Sequence, residues 1–170
     1  MKLSRRDALV ALGAMGVGAG GVGVLRERAA ESEEAMTDVL LAAAEVVYPS
    51  AVTPTREFVS AYAVGRRRFD ADAERFERAV ADLDRRARHD TGQSFASLSL
   101  ARRRDVFRSL GADRAHANHG GTTAERVRYY VVDDLLYALF ASPTGGELVG
   151  CENPPGHPGG TDAYQRGPEA

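Results

Sequence analysis

The chain is predicted to fold as an all-α domain, a small bundle of about five helices followed by an extended Gly/Pro-rich tail. Three observations predict this. Apolar residues recur at spacings of three and four through most of the sequence. No segment sustains the period-two alternation of a strand, and Gly and Pro fall between the periodic segments, where helices stop.

The elements follow in order. Over residues 33–48, Met36, Val39, Leu40, Ala43, Val46 and Val47 form one apolar stripe, and Pro49 ends it. Thr53-Pro54 then offers an N-cap with proline at the first helical position. Phe58, Val59, Tyr62 and Ala63 continue that helix up to Gly65 and the arginines 66–68. Residues 70–89 predict a third helix, with Phe76, Val80, Leu83 and Ala87 inward and a mixed-charge face, Asp82 included, outward. Residues 95–98 read as a short packed turn. Ser99 caps a fourth helix over 100–110, and Gly111 supplies its left-handed stop. After a polar loop over 112–121, Thr122-x-x-Glu125 makes a capping box for the most hydrophobic helix, 123–141, expected at the centre of the core. From Thr144 onward, glycines and prolines predict backbone that is neither helix nor strand and that must lie along another surface.

The first thirty residues read as a leader. Arg5 and Arg6 stand before the apolar run 8–25, the layout of a twin-arginine export signal. A helix over that run would rise about 27 Å, near the bilayer's hydrocarbon thickness, but six glycines dilute its hydrophobicity. The candidate end Arg28-Ala29-Ala30 puts a large cation where a small residue is wanted, so the leader is either cleaved or kept as an anchor. The division expected is leader or anchor 1–30, helical domain 31–143 and tail 144–170. Gly16-x-Gly18-x-x-Gly21 matches a dinucleotide fingerprint only as a string, since no strand precedes it.

Of 22 basic and 24 acidic residues, five and two fall in the leader, which leaves the remainder at net −5 and excludes a nucleic-acid binder by charge. The single cysteine, Cys151, cannot close an intramolecular disulfide. His116 and His119 sit in a Gly-rich loop with no acidic or thiol ligand at metal spacing, so a solvated loop is favoured. Cys151 and His157 share the tail without an orienting acid, and a small metal-binding or redox protein built on these four residues is the alternative function. The arginine triplets 66–68 and 102–104 read as exposed helix ends beside acids. In Asp133-Asp134, successive helical residues lie about 100° apart, so one carboxylate faces solvent while the other nears the core edge and needs an arginine.

Three stretches carry a resemblance: Tyr129-Tyr130-Val131-Val132-Asp133-Asp134-Leu135-Leu136-Tyr137, Ser142-Pro143-Thr144-Gly145-Gly146, and Asn153-Pro154-Pro155-Gly156-His157-Pro158-Gly159-Gly160. Over about residues 36–166 the chain resembles the gluconate 2-dehydrogenase subunit 3 family. The resemblance implies a small helical protein exported by the twin-arginine translocase beside a large flavoprotein of the glucose-methanol-choline type. FAD is then in that partner, and a cytochrome subunit serves some complexes. It implies no catalytic, cofactor-binding or metal-binding residue in this chain. The candidate partner contacts are Tyr130, Asp133, Asp134, Tyr137, Pro143, Gly145, Gly146, Asn153, Pro154, His157 and Tyr164. The expected location is the outer face of the cytoplasmic membrane or the space beyond it.

Overall fold

The computed structural model describes residues 3, 8, 26–69 and 72–150. Among the described residues the regular elements are helical. They are α1 (Arg26–Val47), α2 (Arg56–Phe69), α3 (Ala73–Thr91), a 3-10 turn (Phe95–Ser97), α4 (Leu100–Leu110), a long helix, and α7 (Pro143–Leu148). The long helix is continuous but not uniform: α5 (Thr123–Val127) passes through a π segment (Arg128–Asp133) into α6 (Asp134–Phe140).

α1 packs against α2, α3, α4, the 3-10 turn and the π segment, and α3 against α2, α4, α5 and the π segment. The core therefore lies between α1 and α3 as much as under the long helix, which contributes buried Val127, Tyr130, Val131, Leu135, Ala138 and Leu139. The expected stripes are present. Val39, Leu40 and Ala43 of α1 are buried, with Ala42 and Ala44 beside them, small enough for neighbouring helices to approach. Thr37 is buried too, its hydroxyl satisfied by donating to the Glu33 carbonyl at 2.8 Å.

Several boundaries and roles differ from the expectation. α2 is capped by Thr55, whose hydroxyl accepts from the Phe58 N–H at 3.2 Å, rather than by Thr53. Gly65 lies buried inside α2 instead of ending it. α3 runs to Thr91, where Gly92 takes φ 75° and donates back to the Arg88 carbonyl. α4 starts and stops as predicted, with the Ser99 hydroxyl accepting from Arg102 N–H and Gly111 at φ 80°. The 95–98 turn is packed by Phe95, edge-on to Phe107 at 5.5 Å, and Arg103 donates to the carbonyls of Phe95 and Ala96. Arg103 is thus a clasp on that turn, not an exposed helix end.

The largest correction concerns the tail. Residues 143–148 are helical despite two glycines, because Ser142 supplies an N-cap, accepting from the Gly145 N–H at 3.1 Å, and Pro143 occupies the first turn. Residues 151–170 lie outside the described residues, as does most of the leader. No helix among the described residues is long and apolar enough to cross a membrane.

The capping box of α5 forms in full. Glu125 Oε2 accepts from the Thr122 N–H at 2.7 Å and from its hydroxyl at 3.0 Å, while the Thr122 hydroxyl accepts from the Glu125 N–H. These bonds, the backbone one first, hold the Glu125 carboxyl below its ordinary value of 4.5. A depressed folded pKa means that the cap contributes its full stability above the unfolded value of about 4.5 and loses it as pH falls through the lower folded one. The Thr122 amide proton, followed by NMR across an acid titration, should therefore shift upfield with a midpoint below 4.5. A midpoint at or above that value would contradict the bond.

Candidate functional site

The family-like stretch 129–146 folds into one unit, the π segment, α6 and α7. The π segment decides how its side chains point. An α-helix separates residues five apart by about 140°, whereas the i→i+5 bonding of a π turn brings them together. Arg128 and Asp133 are such a pair, joined Nε to Oδ1 at 2.7 Å on the half-exposed side. Asp134 points the other way, into a bidentate pair with Arg66 of α2: Nε to Oδ2 at 2.8 Å and Nη2 to Oδ1 at 3.2 Å.

That second pair is largely dry, with side-chain exposures of 11% for Arg66 and 15% for Asp134. Burial pushes the Asp134 carboxyl above its ordinary range, and Arg66 opposes that shift without cancelling it. For Arg66 the outcome is reversed: burial, the largest single effect, works against the cation, but the Asp134 hydrogen bond and charge together prevail and hold its pKa up. Tyr62 lies in the same field, its phenol raised first by burial and then by the Asp134 charge. Tyr48 is buried and its hydroxyl has no partner among the described residues. The sequence-based division of the two aspartates, one wet and one at the core edge with an arginine, is what the structure shows. Its partner was hidden in a triplet that reads as exposed, because nothing in the spacing of 66–68 says which arginine faces inward.

A second carboxylate was misplaced in the same way. Asp82, expected on the solvated face of α3, is 8% exposed and is held by Arg85 at 2.5 Å and by Arg126 at 3.2 Å. Arg126 also donates to the Gly121 carbonyl at 2.6 Å, tying α3 to the loop before α5.

Of the candidate contacts, Tyr130 is fully buried, with its ring edge-on to Tyr129 at 4.8 Å. Gly145 and Gly146 are buried in α7. A Cβ at Gly145 would sit 1.9 Å from the Leu139 carbonyl oxygen, so only glycine lets α7 fold this closely against the end of α6. Ser142, fully buried, closes the same corner by donating to that carbonyl at 2.6 Å. Tyr137 is 44% exposed, and Phe140, three residues on and not among the candidates, is 42% exposed. Pro143 is half-buried at the first turn of α7. Asn153, Pro154, His157 and Tyr164 lie outside the described residues, as do Arg5, Arg6 and Cys151.

His116 and His119 are exposed in their loop, and His119 rests against Tyr129 at 6.0 Å and Arg75 at 3.4 Å. Among the described residues no three side chains of His, Cys, Asp or Glu gather as metal ligands. The hollows are shallow; one between α1 and α3, about 200 Å³, has Met36, Val39 and Val80 in its wall and Arg67, Glu77 and Asp84 at its rim. Arg67 itself bridges Glu33 at 3.1 Å and Glu77 at 2.5 Å.

A family model matches residues 33–159, from α1 past the end of α7, and its description is gluconate 2-dehydrogenase subunit 3. The chain belongs to the gluconate 2-dehydrogenase subunit 3 family. No curated protein and no solved structure matches it. The family is that of a small subunit of a dehydrogenase complex, which implies a larger catalytic partner.

Two substitutions test the unit. Arg66→Met leaves the Asp134 carboxylate in place without its cation, and should cost about 2–4 kcal/mol in urea denaturation at pH 7, less at pH 5 as the carboxyl takes up a proton. A loss below about 0.5 kcal/mol would mean that the pair behaves as a solvated one. Gly145→Ala should cost about 1–3 kcal/mol and speed hydrogen exchange of the 145 and 146 amides, while α4 amides stay protected. Unchanged exchange there would contradict the close approach.

Proposed function

We propose that this chain is the non-catalytic small subunit of an exported, FAD-dependent sugar or alcohol dehydrogenase. It binds a large flavoprotein of the glucose-methanol-choline type and carries the twin-arginine signal, through Arg5 and Arg6, for the pair. The observation that carries the reading is the family match over 33–159. The geometry supports it in one respect: α6 presents Tyr137 and Phe140 on its exposed side, next to the corner closed by Ser142 and Gly145, and exposed aromatic side chains on a regular helix are the usual anchors of a protein interface.

On this reading the partner seats on the Tyr137–Phe140 face, and the tail, with its Asn153-Pro154 and His157 stretch and Tyr164, runs along the same partner. A chain so rich in Gly and Pro has few apolar groups with which to build a core of its own. FAD and the substrate pocket belong to the large subunit, and a cytochrome subunit takes the electrons in complexes that have one. The apolar run 8–25, if uncleaved, keeps the complex at the outer face of the membrane.

The test is co-expression with a large-subunit flavoprotein of the glucose-methanol-choline type from the same genome. Tyr137→Asp with Phe140→Asp should lower the affinity for it at least about tenfold while the free subunit melts as before, since neither side chain is in the core. Arg5→Lys with Arg6→Lys should abolish export of both subunits. A wild-type chain that purifies alone, from cells whose flavoprotein is exported and active without it, would end the proposal.

A further inference from the structure

The charged side chains of the long helix, Glu125, Arg126, Arg128, Asp133 and Asp134, each have a partner inside the domain. Glu125 is held by Thr122, Arg126 by Asp82, Arg128 by Asp133 and Asp134 by Arg66. The outer side of the helix is ordered by the same pairing. Arg128 and Asp133 meet across the π turn, Tyr137 stands four residues on and Phe140 three more, spacings that keep helical side chains on one side. Leu136, half-buried, lies one turn before Phe140.

That side offers no unspent charge, although the chain beyond the leader is net −5. Arg128 and Asp133 cancel each other over 2.7 Å, with side-chain exposures of 32% and 38%. A partner that brought a lone cation could engage Asp133 only by taking it from Arg128, and a lone anion only by the reverse exchange. Either way one charge loses water without gaining a partner, which costs affinity. Aromatic rings enter an apolar pocket without any such exchange.

We propose that Arg128, Asp133, Tyr137 and Phe140 form one docking surface whose complement is an uncharged apolar recess on the partner. The recess takes the two rings, and the ion pair stays closed on itself at its edge, where docking removes water from it. This rests on the reading that a large subunit seats on Tyr137 and Phe140; it adds the chemistry that subunit must offer and the two residues of the π segment that select for it. A surface carrying a charge at that edge is rejected, since the pair cannot answer it without opening.

The co-expressed complex tests this by its salt response and by a double substitution. Its dissociation constant should change less than about fivefold between about 50 and about 500 mM NaCl, because no charge on one side answers a charge on the other. Arg128→Met and Asp133→Asn, each alone, should weaken binding at least about fivefold by leaving a charge the recess cannot pair, while the two together should stay within about twofold of wild type. Greater salt sensitivity, single variants that bind like wild type, or a double variant as weak as the weaker single would each overturn the proposal and leave the subunit reading intact. A wild-type chain that forms no complex at either salt concentration would take down both. Self-association of the free subunit, abolished by Tyr137→Asp with Phe140→Asp, would assign the face to a second copy and overturn it as well.

Discussion

The bidentate contact between Arg66 and Asp134 joins the last turns of α2 to the start of α6, and the placement of the family-like segment depends on it. A largely dry ion pair is not a large source of stability, because withdrawing both charges from water offsets most of their attraction. Its effect is to fix rotation. With Asp134 committed inward, the helix beyond it has one azimuth, which buries Leu135, Ala138 and Leu139 and leaves Tyr137 and Phe140 outside. The directional hydrogen bonds supply what non-directional burial cannot, since a helix with apolar residues on so much of its circumference could otherwise settle at more than one angle.

The π segment makes that azimuth compatible with the start of the helix. The capping box fixes α5 at one end and Arg66 fixes α6 at the other, and the wide turn between them absorbs the difference in phase. It does so while Arg128 and Asp133 pair across it on the wet side. Two neighbouring aspartates thereby receive opposite environments, one paired in partial contact with water and one paired nearly without it. The corner after α6 extends the same logic: Ser142 and Gly145 together bring α7 against the Leu139 carbonyl, so the aromatic face ends in a turn with little freedom.

Much of this was legible in the sequence where the signal is local. Ser99 and Gly111 bound α4 because capping and left-handed glycine act within one turn, and Thr122 and Glu125 identify each other for the same reason. The core stripe of α3 followed from periodicity alone. The inward arginine of the 66–68 triplet and the buried Asp82 were not legible, since each is decided by a partner far off in sequence, 68 and 44 positions away; the clasp made by Arg103 was not legible either, since it depends on how the 95–98 turn folds back on α4. The π segment has no compositional mark at all. Helix α7 was missed because two glycines argue against a helix on propensity, while the buried cap at Ser142 and the close approach at Gly145 are tertiary effects that override it.

What a motif means depends on this separation. The two family-like strings that lie within the described residues carry instructions for folding: Tyr130 fills the core, Asp134 sets a rotation, and Gly145 permits a contact that any side chain would block. A residue so employed cannot also be offered to a partner without undoing the element that presents it. Of the described candidates, Tyr137 is the one large apolar side chain left outside, and Phe140, which the motif did not single out, lies on the next turn of the same face. Burying two aromatic rings on an already ordered corner avoids most of the ordering entropy that a mobile segment would lose on association. The docking function proposed for this chain therefore reads most directly from what its folding leaves exposed, Tyr137 and Phe140, rather than from the buried residues of the family-like strings.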